Sequence, residues 1–132
     1  MSEALVPDVG PQQMDAVLAH LPILERPGCP FGEWDSAGYF AYSPEVDAFV
    51  AALYAQDLLL VFDWPSWRAE AQRYLSQPEA LETADLTTLR KLLTTHVRAD
   101  RFSEGHLAGV LQSGHITAIL RRLKAIRDQT ES

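Results

Sequence analysis

The sequence contains a single cysteine, Cys29, among 132 residues. One cysteine cannot form an internal disulfide, and it excludes a zinc site built from several thiolates. A catalytic thiol needs a base and an orienting group nearby, and its neighbours Gly28 and Pro30 supply neither. Cys29 is therefore predicted to lie in a loop without a nucleophilic role, which is compatible with a reducing compartment.

Long apolar runs are also missing. The longest, residues 58–62, is far shorter than the roughly 20 residues that span a bilayer. The N-terminal end shows no basic segment followed by an apolar stretch, as a secretory signal would. These absences predict a cytoplasmic protein without a membrane partner.

Basic residues are outnumbered, since 11 Lys and Arg face 18 Asp and Glu and give a net charge of −7. Such a field repels phosphate backbones, so nucleic acid is not an expected partner. The exception is a local basic cluster formed by Arg121, Arg122, Lys124 and Arg127. Cations near a helix C-terminus complement its dipole, and this structural role is favoured over a nucleic-acid patch.

Recognisable cofactor and catalytic motifs are absent. The sequence has no phosphate-binding glycine loop, no dinucleotide fingerprint and no Gly-x-Ser-x-Gly elbow. Its four histidines, His20, His96, His106 and His115, lack paired acids at metal-ligand spacing. We therefore expect no metal and no cofactor, and we interpret His96 as a hydrogen-bonded core histidine.

The composition that remains is 47% hydrophobic and 22% charged, as in a folded globular protein. A chain of 132 residues can bury a core without disulfides. Apolar residues at helical spacing then predict a mainly α fold, a compact bundle of about six short helices. We expect one helical domain over residues 1–132, with flexible ends at 1–9 and 128–132.

Several helix boundaries carry local signals. Ser43 before Pro44 is typical of an N-cap followed by a proline in the first turn. Asp85 or Thr83 is predicted to cap a later helix, and Gly114 to end the helix before the last one.

Two segments are predicted to be non-helical. Residues 31–42 are aromatic around a turn-like Asp-Ser-Ala-Gly, which favours a small β-hairpin or an ordered aromatic loop. A hairpin this short is not stable alone and must pack on helices. Residues 58–62 are predicted to form a short, buried, extended piece.

The sharpest candidate site is the segment Arg-Phe-Ser-Glu-Gly-His-Leu at residues 101–107. Glu104 or His106 could act as a general base, and Arg101 could bind an anion. A structural alternative stays open, in which Ser103 is an N-cap, Glu104 favours the positive helix end and His106 reaches back toward the cap.

A second candidate site joins Asp-Trp-Pro-Ser-Trp at residues 63–67 to Trp34. Indoles serve both cores and binding clefts. Trp67 lies on the apolar side of its predicted helix and is interpreted as core. Trp64 is either core or pocket wall, and Trp34 is either a loop aromatic or a lid. The predicted ligand-binding residues are therefore Trp34, Asp63, Trp64 and Arg101.

Four segments together resemble a bacterial family of domain-of-unknown-function proteins. They are Ser-Pro-Glu-Val at 43–46, Asp-Trp-Pro-Ser-Trp at 63–67, the run Asp-Leu-Thr-Thr-Leu-Arg-Lys-Leu-Leu at 85–93, and the segment at 101–107. The resemblance covers residues 43–124. It implies an accessory or binding module, because such segments are found appended to macro domains that process ADP-ribose. That family often carries cysteine where Ser103 stands, which puts a thiol-based role in doubt.

The leading functional hypothesis is a ligand-binding or regulatory module without catalysis of its own. Clustered aromatics beside a guanidinium favour a small, nucleotide-like ligand. The first alternative is a small hydrolase or transferase that uses Glu104 or His106 as general base. The second is a protein-interaction domain, for which a homodimer is one form.

Overall fold

The computed structural model describes residues 9–26, 28 and 31–131. Cys29 lies outside these residues, as does most of the N-terminal end that the sequence predicts to be flexible. The described part contains seven α-helices and one two-stranded antiparallel hairpin, which confirms the mainly α fold class.

The elements follow one another along the chain with short connections. The helices and strands are α1 (Pro11–Leu18), α2 (Leu21–Glu25), β1 (Gly32–Trp34), β2 (Phe40–Tyr42), α3 (Pro44–Ala55), α4 (Arg68–Ser76), α5 (Leu86–Ala99), α6 (His106–Gln112) and α7 (His115–Glu131). Two 3₁₀ turns, Trp64–Trp67 and Pro78–Thr83, flank α4. Residues 128–131 continue α7, although the sequence predicts a flexible end there.

Helices α5 and α7 form the centre of the core. On α7 the side chains of Ile116, Ile119, Leu120 and Leu123 are fully buried. Leu89, Leu92 and Leu93 of α5 are buried in the same cluster. Helices α1, α2, α5 and α6 all pack against α7. Each such side chain contributes about 1.5–3 kcal/mol when removed from water, so this apolar contact dominates the stability of the fold.

The local cap signals are confirmed. Ser43 Oγ accepts a hydrogen bond from the Val46 N–H at 3.3 Å, and Asp85 Oδ1 accepts one from the Thr88 N–H at 2.8 Å. Gly114 follows α6 with a φ of +85°. Residues 31–42 form the hairpin, with Trp34 paired to Phe40 across it.

The prediction for residues 58–62 is wrong in part. Leu58 and Leu60 are buried, but Val61 is 99% exposed, and the segment forms no strand. No neighbouring strand covers its second face. An extended piece that lies on the core with one face buries only alternate residues.

The basic cluster on α7 is engaged by neighbouring residues. Arg127 Nε donates to Asp15 of α1 at 2.6 Å, and Arg122 Nε donates to the Ala84 carbonyl at 2.8 Å. Arg121 pairs with a glutamate of α2, and Lys124 pairs with an aspartate one turn along α7. These contacts hold α7 to its neighbours. The four cations precede the last turn of α7, so their predicted role at the end of the helix dipole is wrong. Among the described residues, no helix is both long and apolar enough to cross a membrane.

Arg90 fixes the irregular segment to α5 from inside the protein. Its side chain is 3% exposed, Nε donates to the Leu58 carbonyl at 3.0 Å, and Nη2 donates to the Asp57 carbonyl at 2.7 Å. Asp57 has a φ of +60°, an uncommon conformation for a residue with a side chain. The guanidinium thus satisfies two carbonyls that a strand neighbour would otherwise bind.

Replacing Arg90 with methionine keeps the apolar volume and removes both donors. We expect the free energy of unfolding to fall by about 2–4 kcal/mol, because the two carbonyls lose their partners. Arg73→Met is the matched control, since the exposed Arg73 pairs with Glu70 and lies over the Tyr74 ring but binds no backbone carbonyl in the contacts of the described residues. It should cost below about 1 kcal/mol. Urea denaturation measures both, and equal losses would contradict the role given to Arg90.

Candidate functional site

The hairpin and the start of α6 meet through a glycine and an acid. Gly105 is the N-cap of α6 with a φ of +78°, and a Cβ there would lie 2.7 Å from the Trp34 ring. Glu104 Oε2 accepts the Phe40 N–H at 2.7 Å. Helix α6 therefore begins at His106, and the interpretation of Ser103 as its N-cap is wrong. The tight approach of Trp34 selects glycine at the cap position, where a side chain would clash.

The half-buried start of α6 is capped by residues from elsewhere in the chain. Asp100 Oδ1 accepts the Leu107 N–H at 3.0 Å and the Tyr42 hydroxyl at 2.5 Å. The Tyr42 hydroxyl oxygen in turn accepts the Ala108 N–H at 3.1 Å. These bonds satisfy amide groups that a helix start leaves open. Burial and the hydrogen bond to Asp100 raise the pKa of Tyr42 well above its usual value, so the hydroxyl keeps its proton.

Three histidines meet where α5, α6 and α7 come together; we call them the histidine cluster. His96 Nδ1 lies 3.1 Å from His106 Nε2, and the rings of His96 and His115 make an edge contact with centroids 5.4 Å apart. His96 is 2% exposed and His115 is 5% exposed. Within the described part of the chain, the Nε2 atoms of these two have no hydrogen-bond partner.

The histidine cluster is held in its neutral form. Burial, together with the smaller effects of the neighbouring His115 and His106, lowers the pKa of His96 to about 3. Burial lowers the pKa of His115 to about 4. Burial also lowers the pKa of His106, opposed by Asp100 and supported by Arg68. At neutral pH the three rings are therefore uncharged and available as donors or acceptors, depending on tautomer.

A cavity of about 360 Å³ lies between α3 and the connection from α5 to α6. Its walls are formed by apolar, aromatic and charged side chains, among them Val46, Val50, Leu107, Tyr42, Tyr54, Asp47, Asp100 and Arg101. Arg98 adds a second guanidinium beside it, with Cζ 5.8 Å from the centre of the Tyr54 ring. The cavity thus offers an apolar floor, an aromatic face and charges of both signs.

Of the predicted site residues, Arg101 lines this cavity, and Glu104 and His106 do not. Glu104 is bound to the hairpin, and His106 is part of the histidine cluster. The candidate residues of segment 101–107 therefore lie in three different places: the cavity, the contact with the hairpin, and the histidine cluster. The catalytic roles of Glu104 and His106 and the ligand role of Arg101 stay predictions.

The tryptophan candidates also lie apart from the cavity. Trp34 is exposed and packs its ring against the edge of Phe40. Trp64 is half-buried and faces Phe102, with ring centroids 5.9 Å apart. Asp63 is exposed and accepts the hydroxyl of Ser66 at 2.6 Å. Trp64 thus contacts Phe102, the residue that follows Arg101 in the α5–α6 connection.

The model of DUF6508, a family of unknown function, matches residues 9–129. The chain belongs to this family. The match includes the hairpin, the histidine cluster and the cavity. No curated protein and no solved structure matches the chain. The expectation of membership in a family of unknown function is thereby confirmed, and the family description adds no activity.

Sequence reasoning did not foresee the histidine cluster of this DUF6508 member. One sequence signal could have indicated it: each of the three histidines lies next to the apolar stripe of its helix. Tyr54 follows the buried residues of α3 at helical spacing, which is typical of a core position, but it is 39% exposed and forms a cavity wall. No group of three His, Cys, Asp or Glu side chains among the described residues is arranged to hold a metal ion.

Gly105→Ala tests the contact between the hairpin and α6. The new Cβ meets Trp34 and a left-handed backbone, so we expect a loss of about 1–3 kcal/mol in unfolding free energy. Gly109→Ala is the control inside α6, where a Cβ meets nothing within 4 Å, and it should stabilise by up to about 1 kcal/mol. Thermal denaturation with tryptophan fluorescence measures both, and similar effects of the two variants would count against the contact.

The lowered pKa values make the stability depend on pH. In the unfolded chain the His115 and His96 imidazoles take up protons below about pH 6.5. In the folded protein His115 becomes protonated only near pH 4 and His96 only near pH 3. Stability is thus fully present above pH 6.5 and is lost as pH falls below it. When the pH is lowered from about 7.5 to about 5.5, we expect the free energy of unfolding measured in urea to fall by about 2–3 kcal/mol.

The control for this pH dependence is His20→Gln, because His20 lies outside the histidine cluster. It should leave the loss between the two pH values unchanged, whereas His115→Gln should reduce it by about half. A wild-type stability that stays level over the same interval would show that the rings are not buried and neutral.

Proposed function

We propose that this DUF6508 member is a ligand-binding module without catalysis of its own, whose ligand occupies the cavity between α3 and the α5–α6 connection. The observation that carries the proposal is that Tyr54 and Arg101 line one cavity. Val46, Val50 and Leu107 supply its apolar surface. Concave sites with an apolar floor and a few polar groups are the usual form of small-molecule sites.

A nucleotide-like molecule fits the chemistry of this cavity. The half-exposed Tyr54 ring offers a face on which a planar base can stack. Arg101 offers donors for a phosphate, and Arg98 places another positive charge beside the same ring. Asp47, also on the cavity wall, can accept from an amino group or a sugar hydroxyl. The resemblance to segments appended to macro domains makes ADP-ribose the first candidate.

The enzyme alternative is less well supported by the geometry. Glu104 Oε2 already accepts the Phe40 N–H, and His106 Nε2 is engaged by His96. Either group would have to leave its partner before it could take a proton from a substrate. The neutral state of His106 is what a general base requires, so this alternative keeps one observation in its favour.

The protein-interaction alternative would use a different surface. Phe102, Tyr39 and Trp34 are exposed on the α5–α6 connection and the hairpin. Exposed aromatic side chains favour protein contacts, a homodimer among them. A dimer in light scattering that Phe102→Ser abolishes would favour this alternative over the ligand module.

A thermal-shift panel of AMP, ADP, ADP-ribose and inorganic phosphate tests the ligand module. A ligand present at 100 times its dissociation constant should raise the Tm by about 5–10 °C. Arg101→Gln and Tyr54→Ala should each weaken binding about tenfold or more, because one loses the phosphate donor and the other the stacking face. Arg121→Gln is the matched control, since Arg121 lies on α7 and does not line the cavity.

Level melting curves across the panel would contradict the ligand module. An equal loss of binding in Arg101→Gln and Arg121→Gln would attribute any shift to net charge instead of the cavity. Each incubation is also analysed by chromatography, because a product formed from the ligand would favour the enzyme alternative.

A further inference from the structure

The bond between His96 and His106 requires both rings to be neutral or to share one added proton. Two neutral imidazoles bond only when one nitrogen carries hydrogen and the other does not. The His96 Nε2 atom is buried without a partner in the described structure. A bare lone pair there is less costly than an N–H without an acceptor, so we assign the His96 proton to Nδ1, which donates to His106 Nε2 over 3.1 Å.

The surroundings supply little compensation for added positive charge. Asp100 favours a charged His106, whereas Arg68 of α4 opposes it. The groups that act on His96 are the other two histidines, and on His115 only burial acts. In the described structure no carboxylate therefore stabilises a charge on the two most buried rings.

Added protons disrupt the cluster in two steps. A first proton on His106 Nε2 takes the position at which His96 donates, so the His96 hydrogen must move to Nε2, where it finds no acceptor. A second proton makes both rings donors on every nitrogen, and the bond between them is lost. A buried charge without a partner is costly, so the structure relieves it by exposing the rings to water.

Helix α6 is the element best placed to move. It has seven residues, against 14 for α5 and 17 for α7. Its start is tied to the hairpin by the bonds of Tyr42 and Glu104, so the two elements are expected to move together. Helices α5 and α7 also bury more of the core.

We propose that the histidine cluster is an acid-sensitive latch, which releases α6 and the hairpin from α5 and α7 before the rest of the chain unfolds. Tyr42 and Leu107 line the cavity, so the release would also remove one of its walls. That last consequence rests on the proposed function, whereas the release itself does not.

Hydrogen exchange of the wild-type protein tests the latch. It is measured by mass spectrometry at about pH 7.5 and about pH 5.5, and the rates are corrected for the intrinsic pH dependence of amide exchange. The opening constant for amides of α6 and the hairpin should rise between the higher and the lower pH. The rise should be about tenfold if opening lets one histidine take up a proton, and about a hundredfold if it lets two do so. Amides at the contact of α1 with α7 exchange through global unfolding, so their opening constant should follow the loss of stability measured in urea. It should stay well below the opening constant of α6 at both pH values. His20→Gln should reproduce the wild-type pattern, and His106→Gln should lower the rise in α6.

An opening constant of α6 equal to that of the α1–α7 contact at about pH 5.5, or no rise in α6, would overturn the latch. The wild-type comparison is sufficient by itself if His106→Gln does not fold. No ligand is present in this experiment, so its failure would leave the cavity proposal standing, and a level thermal-shift panel would leave the latch standing.

Discussion

A single carboxylate oxygen organises the region where the fold is most irregular. Oδ1 of Asp100 accepts both the Tyr42 hydroxyl and the Leu107 N–H. Helix α6 has no serine, threonine or aspartate at its N-cap, because Gly105 is needed under Trp34. Asp100 and Tyr42 replace the missing cap from outside the helix. The hairpin, the cavity and the histidine cluster all meet α6 within one turn of that bond.

The cavity and the histidine cluster are neighbours that share the first residues of α6. Leu107 lines the cavity, and the preceding residue, His106, belongs to the cluster. Successive residues on a helix point about 100° apart, so one short helix serves two different surroundings. A change in the position of α6 must affect both. Protonation of the histidine cluster and the shape of the cavity can therefore be coupled through α6.

Local chemistry made much of the fold predictable from the sequence. The caps at Ser43 and Asp85 depend on bonds that span three residues, and the stripes of α5 and α7 depend on a helical period. The site was less accessible. Arg101 lines the cavity, but its ligand role stays a prediction, and the sequence of its segment does not reveal that Glu104 is bound to Phe40.

What the sequence could not supply are contacts between distant segments. Tyr42 and Ala108 are 66 residues apart, so no local pattern identifies the partner that makes a Ser103 cap unnecessary. The histidine cluster joins three helices, and no pattern within any one segment shows that His96, His106 and His115 meet. Val61 shows the reverse case, because an apolar run does not reveal which of its faces the core will cover.

The pairing of α1 with α7 has a consequence for biosynthesis. Asp15 near the start of the fold binds Arg127 near its end, and α1 packs along α7. The contact between α1 and α7 therefore cannot form until α7 has been synthesised, because Asp15 and Arg127 are 112 residues apart. Contacts between residues so far apart in the sequence slow folding and leave aggregation-prone apolar surface exposed until they form.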